Sequence, residues 1–144
     1  LHDALPISVY EHGVLTDVHD ELMRQVDGVL AAGVKPERII IDPGLGFSKP
    51  SIEHNLPLLT GLETFRGTGY PVLIGQSRKR FISAMLTEAG AVGEDGPTMA
   101  QRDDVTAALS ALSAEHGAWA VRVHDVAKSH AAVIAGNIWR QYLS

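Results

Sequence analysis

Side-chain chemistry in this chain concentrates at three places: Asp42, the Ser77-Arg78-Lys79-Arg80 run, and Arg122-Val123-His124. A carboxylate such as Asp42 offers two oxygens that can receive paired N–H donors from the edge of an amidine-like or guanidine-like ligand. Asp42-Pro43-Gly44 is equally ordinary turn chemistry, and the residues alone leave both readings open. The cations Arg78, Lys79 and Arg80 stand together in a chain with 17 acidic and 12 basic residues. At a strand-to-helix junction they would meet free backbone amides, so they suit an anion or an electron-rich ring, with a solvated basic turn as the alternative. Arg122 and His124 are two apart and on a strand share one side, which strengthens the anion reading.

Other polar features carry less. Gly44-Leu45-Gly46-Phe47-Ser48-Lys49 lacks the Gly-Lys-Ser/Thr ending of a phosphate loop and is followed by Pro50. It reads as a loop carrying Phe47 toward a ligand, or as a loop anchored by Phe47 in the core. His2, His12, His19, His54, His116 and His130 form no His-x-x-x-His pair around a glutamate, so no zinc site is expected. Trp119 and Trp139 read as core or interface anchors.

The elements that must position these groups follow from periodicity. A helix is expected over 16–32, capped by Thr16 or Asp17, with Val18, Leu22, Val26, Val29 and Leu30 as its apolar stripe. Ile39-Ile40-Ile41 reads as a parallel strand covered on both faces, ending at Asp42. A helix from about Asn55 should bury Leu58, Leu59, Leu62 and Phe65 before a strand over 71–74. A short helix to about Glu88 follows. Asp103 or Asp104 should head a helix to Glu115 that buries Val105, Ala108, Leu109 and Leu112. A strand over 118–123 and a last helix over 127–142, with Ile134, Ile138 and Tyr142 at spacing four, complete the order. Each polar cluster thus lies at the carboxyl end of a strand, where α/β proteins build their sites.

Composition sets the outer bounds. The chain has 144 residues, 45% of them hydrophobic, and a net charge of −5, which suit one soluble globular unit and argue against a nucleic-acid surface. There is no cysteine, so thiolate nucleophiles and disulfides are excluded. No run is apolar enough for a membrane span and no secretory leader is evident, so the cytoplasm is the expected compartment. Residues 1–8 show no period and are left unassigned. Three parallel strands fit either an open doubly wound sheet or part of a (β/α)8 barrel. A whole barrel needs about 250 residues, so this chain would supply only its last part.

Taken in order, Ile41-Asp42-Pro43-Gly44-Leu45-Gly46-Phe47-Ser48-Lys49, His54-Asn55-Leu56, Pro71-Val72-Leu73-Ile74-Gly75-Gln76-Ser77-Arg78-Lys79-Arg80-Phe81 and Arg122-Val123-His124-Asp125-Val126 resemble the dihydropteroate synthases, folate-pathway enzymes of the pterin-binding family. The resemblance implies one partial pterin-binding domain over 1–144, the carboxyl-terminal portion of a TIM barrel with about three βα units and a preceding helix. It implies that the family's reaction joins 6-hydroxymethyl-7,8-dihydropterin pyrophosphate to p-aminobenzoate, giving dihydropteroate and pyrophosphate. By the same resemblance Asp42, Gly75, Lys79 and Arg122 would contact the pterin, and Arg122 and His124 the pyrophosphate. Phe47, Ser77 and Arg80 would border p-aminobenzoate, although the family commonly has serine where Arg80 stands. Lys79, Arg122 and His124 would be the catalytic groups. Mg²⁺ is implied as cofactor, held by an asparagine on a first-strand loop that this chain lacks, and a homodimer through the last helices is implied for the full-length protein.

Three other readings remain at this level. A pterin-binding methyltransferase domain would need the ring contacts but not the cationic clusters. A Lys79 Schiff-base aldolase would be trapped by borohydride with a carbonyl substrate. A non-catalytic barrel half would retain the binding residues without turnover.

Overall fold

The structure, a computed structural model, describes residues 10–46 and 51–143. The segment 1–8 left unassigned above, and Phe47, lie outside the described residues.

Helix α1 (Val14–Ala31) turns Val14, Val18 and Val26 inward at helical spacing. It begins earlier than expected, at a Gly13 N-cap without a side-chain bond, so neither Thr16 nor Asp17 caps it. Asp17 is buried in the first turn and accepts the His12 backbone N–H at 3.3 Å, tying down the incoming chain instead. Val29, expected on the buried stripe, is exposed.

The isoleucine run corrects a second expectation. Only Ile41 joins the sheet, as a parallel bridge to Val72, and Ile40 is exposed between the buried Ile39 and Ile41. The run therefore alternates as a strand covered on one face. The helix expected from Asn55 starts sooner and is split at Gly61 into α2 (Ile52–Thr60) and α3 (Leu62–Arg66). Ser51 caps α2 by accepting the His54 N–H, and Leu58, Leu59, Leu62 and Phe65 are buried as their spacing requires.

Strand β1 (Leu73–Ile74) pairs in parallel with β2 (Ala120–Val121), Leu73 opposite Ala120 and Ile74 opposite Val121. With the Ile41 bridge, three parallel segments lie side by side in chain order, as an α/β alternation predicts. Both strands are shorter than the sequence suggests, yet the N–H of Trp119 bonds the Val72 carbonyl and that of Arg122 the Ile74 carbonyl, extending the alignment to the strand tips. The apolar centre is Ile41, Leu58, Leu62, Phe65, Val72, Ile74, Phe81 and Ile82, each at most 2% exposed. Burial contributes about 1.5–3 kcal/mol for each such side chain.

β1 leads into α4 (Arg80–Glu88), and a loop then reaches α5 (Met99–Glu115). Thr98 heads α5 through a capping box with Gln101, so Asp103 and Asp104 lie inside the helix and do not cap it. The face of α5 turned toward the strand tips is partly polar, burying Asp103, Thr106, Ser110 and Ser113 beside Leu109. Ala108 and Leu112 point outward, contrary to expectation. α6 (Val126–Gln141), capped by Asp125, follows β2 and leaves Ile134, Ile138 and Trp139 exposed. Among the described residues no helix is long and apolar enough to cross a membrane.

Candidate active site

A cleft of about 490 Å³ opens where the tips of β1 and β2 meet, lined by Gly75, Ser77, Arg78, Lys79, Arg122, Val123 and His124. The two cationic clusters singled out in the sequence are therefore brought together by the Leu73–Ala120 and Ile74–Val121 register. Asp42, at the end of the neighbouring Ile41 segment, approaches from the side of Arg122, with its Oδ2 3.7 Å from Nη1.

The turn reading of Asp42 is realised. Its Oδ1 accepts the Gly44 N–H at 2.9 Å, closing the Asp-Pro-Gly turn, while Oδ2 faces the Arg122 guanidinium. Each carboxylate oxygen retains further acceptor capacity for a ligand edge. The Arg122 side chain is 59% exposed and lies over Gly75: a Cβ at position 75 would fall 2.4 Å from Nη2. Glycine at 75 is thus what lets the guanidinium occupy that space.

Lys79 sits at the N-cap of α4, and its aliphatic stem packs on the backbone of Gly46, where a Cβ would meet Cδ at 2.7 Å. The Gly46 N–H is in turn held by Asn55 Oδ1 at 2.9 Å, and Asn55 donates to the Ser51 carbonyl at 2.7 Å. Asn55, read from sequence as a helix start, therefore holds the loop against which Lys79 rests. Arg80 stands apart: it is exposed on the first residue of α4 and does not line the cleft.

Ser77 lines the cleft with its hydroxyl engaged. Its Oγ accepts the His124 backbone N–H at 3.1 Å and lies 2.8 Å from His124 Nδ1. Beneath it, Arg78 adopts a left-handed backbone (φ 57°), unusual for a residue with a side chain. Two parallel bonds hold it there, Nε to Asp103 Oδ1 at 2.9 Å and Nη2 to Asp103 Oδ2 at 3.0 Å. These bonds raise the guanidinium above its ordinary value and hold the Asp103 carboxyl below the usual carboxylate range, each against an opposing push from desolvation. Gln76, buried between, donates to Ser110 Oγ at 3.3 Å, and Ser110 contacts Ser129 of α6 at 3.2 Å.

Arg78 as a strut, Asp103 and the small polar residues beneath them escaped the sequence reading. The sequence holds only a slight signal for them: Asp103, Thr106, Ser110 and Ser113 recur at helical spacing on the face that also carries Leu109, which the structure buries. Among the described residues no three carboxylate or imidazole groups are placed to hold a metal ion.

Chemically, the cleft offers Lys79, Arg122 and His124 as donors to an anion or a polarised ring, and Asp42 as an acceptor beside them. The sequence profile of the pterin binding enzymes matches residues 4–124. The dihydropteroate synthase of Mycobacterium leprae is 47% identical over 126 residues, covering 88% of this chain and 43% of that protein. The chain thus spans less than half the length of that relative. Among solved structures, the dihydropteroate synthase of Coxiella burnetii in complex with pteroic acid superposes with a TM-score of 0.81 at 32% identity, over 94% of this chain and 47% of that one. The enzyme of Anaplasma phagocytophilum with bound 6-hydroxymethylpterin-monophosphate gives 0.73 at 32% identity, over 88% and 43%.

Proposed function

We propose, since the chain belongs to the pterin-binding enzyme family, that it is the carboxyl-terminal portion of a (β/α)8 barrel whose complete form is a dihydropteroate synthase of folate biosynthesis. The observation that carries the reading is the convergence of Lys79, Arg122 and His124 on one cleft, with Asp42 against Arg122. The Anaplasma enzyme's ligand is a phosphate-bearing pterin, the kind of molecule that a carboxylate beside several cations suits.

In this reaction the methylene carbon of 6-hydroxymethyl-7,8-dihydropterin pyrophosphate loses its bond to oxygen, and the electron pair leaves on pyrophosphate. The amine nitrogen of p-aminobenzoate forms the new carbon–nitrogen bond and gives up a proton, yielding dihydropteroate. Negative charge grows on the leaving oxygen, and Arg122 and His124, which both line the cleft, would supply N–H donors to it. Asp42 Oδ2 would take the aminopyrimidine edge of the pterin, and Lys79 would bond the ring from the neighbouring β1 tip. Gly75 leaves room for Arg122 beside that ring. Phe47, Ser77 and Arg80 are assigned to the p-aminobenzoate side by resemblance. No protein nucleophile is used.

Among the described residues no group of three or more carboxylate or imidazole side chains fits the Mg²⁺ implied by the family; by resemblance its ligand would be an asparagine outside this chain. The exposed Ile134, Ile138 and Trp139 of α6 support a homodimer in which these side chains are covered. The cytoplasm is the compartment that the pathway implies.

The test is turnover. A protein carrying this chain within the full length of its relatives should form dihydropteroate and release pyrophosphate from the two substrates, and residues 1–144 alone should show little. Failure of the complete protein with both substrates would sink the assignment. Robust turnover by residues 1–144 alone would remove the need for the rest of the barrel.

A further inference from the structure

We propose that Ser77 is a positioning residue that fixes His124 in the tautomer with its proton on Nε2, so that a neutral imidazole presents an N–H donor to the anion in the cleft. The meaning of that donor rests on the leaving-group reading above, whereas the tautomer itself rests on geometry alone.

The argument is one of donors and acceptors. Ser77 is 6% exposed although it lines the cleft, so solvent serves its hydroxyl proton poorly and a protein acceptor is favoured. The oxygen already receives the His124 backbone N–H at 3.1 Å, which occupies one lone pair and leaves the O–H to be directed elsewhere. Among the described residues the acceptor within its reach is His124 Nδ1 at 2.8 Å. A ring nitrogen that accepts carries no proton in the neutral imidazole, so the proton resides on Nε2. Were Nδ1 protonated, its N–H and the His124 backbone N–H would take both lone pairs of the oxygen, and the hydroxyl proton would have no protein acceptor among the described residues.

The pairing is also placed to hold. Ser77 is anchored at the tip of β1, next to the Arg78–Asp103 strut, and the backbone and ring of His124 are both bonded to the same oxygen. The ring is therefore fixed at Nδ1, and Nε2 is the nitrogen left to serve the cleft that His124 lines. A hydroxyl at position 77 matters through His124, in addition to any contact with p-aminobenzoate.

The experiment uses the complete protein labelled with ¹⁵N-histidine, at a pH above the range where histidine titrates. Long-range ¹H–¹⁵N spectra, with His124 assigned by its loss in His124→Asn, should show a pyridine-like Nδ1 and a pyrrole-like Nε2. Ser77→Ala should collapse this to an averaged pair, and Ser77→Thr, which keeps the hydroxyl, should restore it. Inorganic pyrophosphate should bind about tenfold more weakly to Ser77→Ala, with recovery in Ser77→Thr. A pyrrole-like Nδ1 in the parent protein overturns the proposal even if Ser77→Ala fails to fold, as does a spectrum unmoved by Ser77→Ala. Because the spectrum needs no turnover, a protein that made no dihydropteroate yet showed the Nε2 proton would refute the function and leave this inference standing.

Discussion

The two strand tips that meet at the cleft are built on opposite rules. At the tip of β1, Gly75, Gln76 and Ser77 are buried and Arg78 is held by two bonds to Asp103 in a backbone conformation it would not choose alone. At the tip of β2, Arg122 and His124 are exposed, and the ion pair from Arg122 to Asp42 is a loose 3.7 Å. The contrast teaches a division of labour. One tip is a frame in which Ser77, Arg78 and the Gln76 amide N–H are bonded within the protein while Gln76 Oε1 is left without a partner among the described residues, and the other leaves Arg122 and His124 open to the cleft.

Substituting the presenting tip should have the largest effect on activity. In the complete protein Arg122→Ala should lower kcat/KM for the pterin pyrophosphate by about 10²–10³, the scale seen when one donor to a developing anion is removed. Its melting temperature should barely move, since the side chain is mostly in solvent. The division fails if Arg122→Ala melts the protein while leaving kinetics intact.

The framing tip should respond the other way. Arg78→Ala and Asp103→Asn should each lower the melting temperature by several degrees, because each strands a partner that is otherwise bonded twice. Arg78→Lys should not rescue, as an ammonium cannot reproduce the two-pronged contact. The pair also sets a pH signature. Asp103 is held below its ordinary value by the Arg78 bonds, so its contribution is complete above about pH 4 and is lost as pH falls through the depressed value. The gap between the parent and Asp103→Asn, followed by thermal melts, should therefore narrow only on the acid side. A gap constant down to strong acid would show that the carboxylate charge is not what holds the tip.

Thr98→Ala sharpens the comparison by loosening the helix that carries Asp103 without touching the strut. Loss of the capping box should cost about 1 kcal/mol in denaturant unfolding, and the cleft should keep its affinity for pyrophosphate. A loss of affinity matching the Arg78 variants would mean that the tip depends on the whole of α5 and not on one pair.

What was legible in the sequence divides along the same line. The order of strands and helices, the apolar set Leu58, Leu59, Leu62 and Phe65, and the meeting of residues 77–79 with 122–124 follow from periodicity and from the rule that α/β sites form at strand ends. The frame was not legible, because its residues imitate something else. Asp103 looks like a helix cap, and only the Thr98–Gln101 box further upstream takes that role from it. Asn55 looks like a helix start, yet its amide is spent on Gly46 across a loop. Leu112 and Ile40 look like core and are exposed, since apolar character does not say which side of an element has a neighbour. Short-range pattern locates elements, while long-range polar pairing is invisible until the elements are packed.

The smallest effect is expected beside the largest structural one, at the adjacent residue. Asp104 follows Asp103 on α5, but a step of one residue turns it about 100° around the helix and out into solvent. There it pairs with Lys128 of α6, and this bond, rather than burial, raises the lysine above its ordinary value. Two exposed charges on flexible stems gain little net stability, because hydration and side-chain entropy offset their attraction. Lys128→Ala should therefore leave the melting temperature within about a degree of the parent, and added salt should not change that difference. If instead Lys128→Ala destabilised as much as Asp103→Asn, ion pairing between helices in general would explain the fold, and the Arg78–Asp103 strut would lose its claim to be the element that fixes the β1 tip.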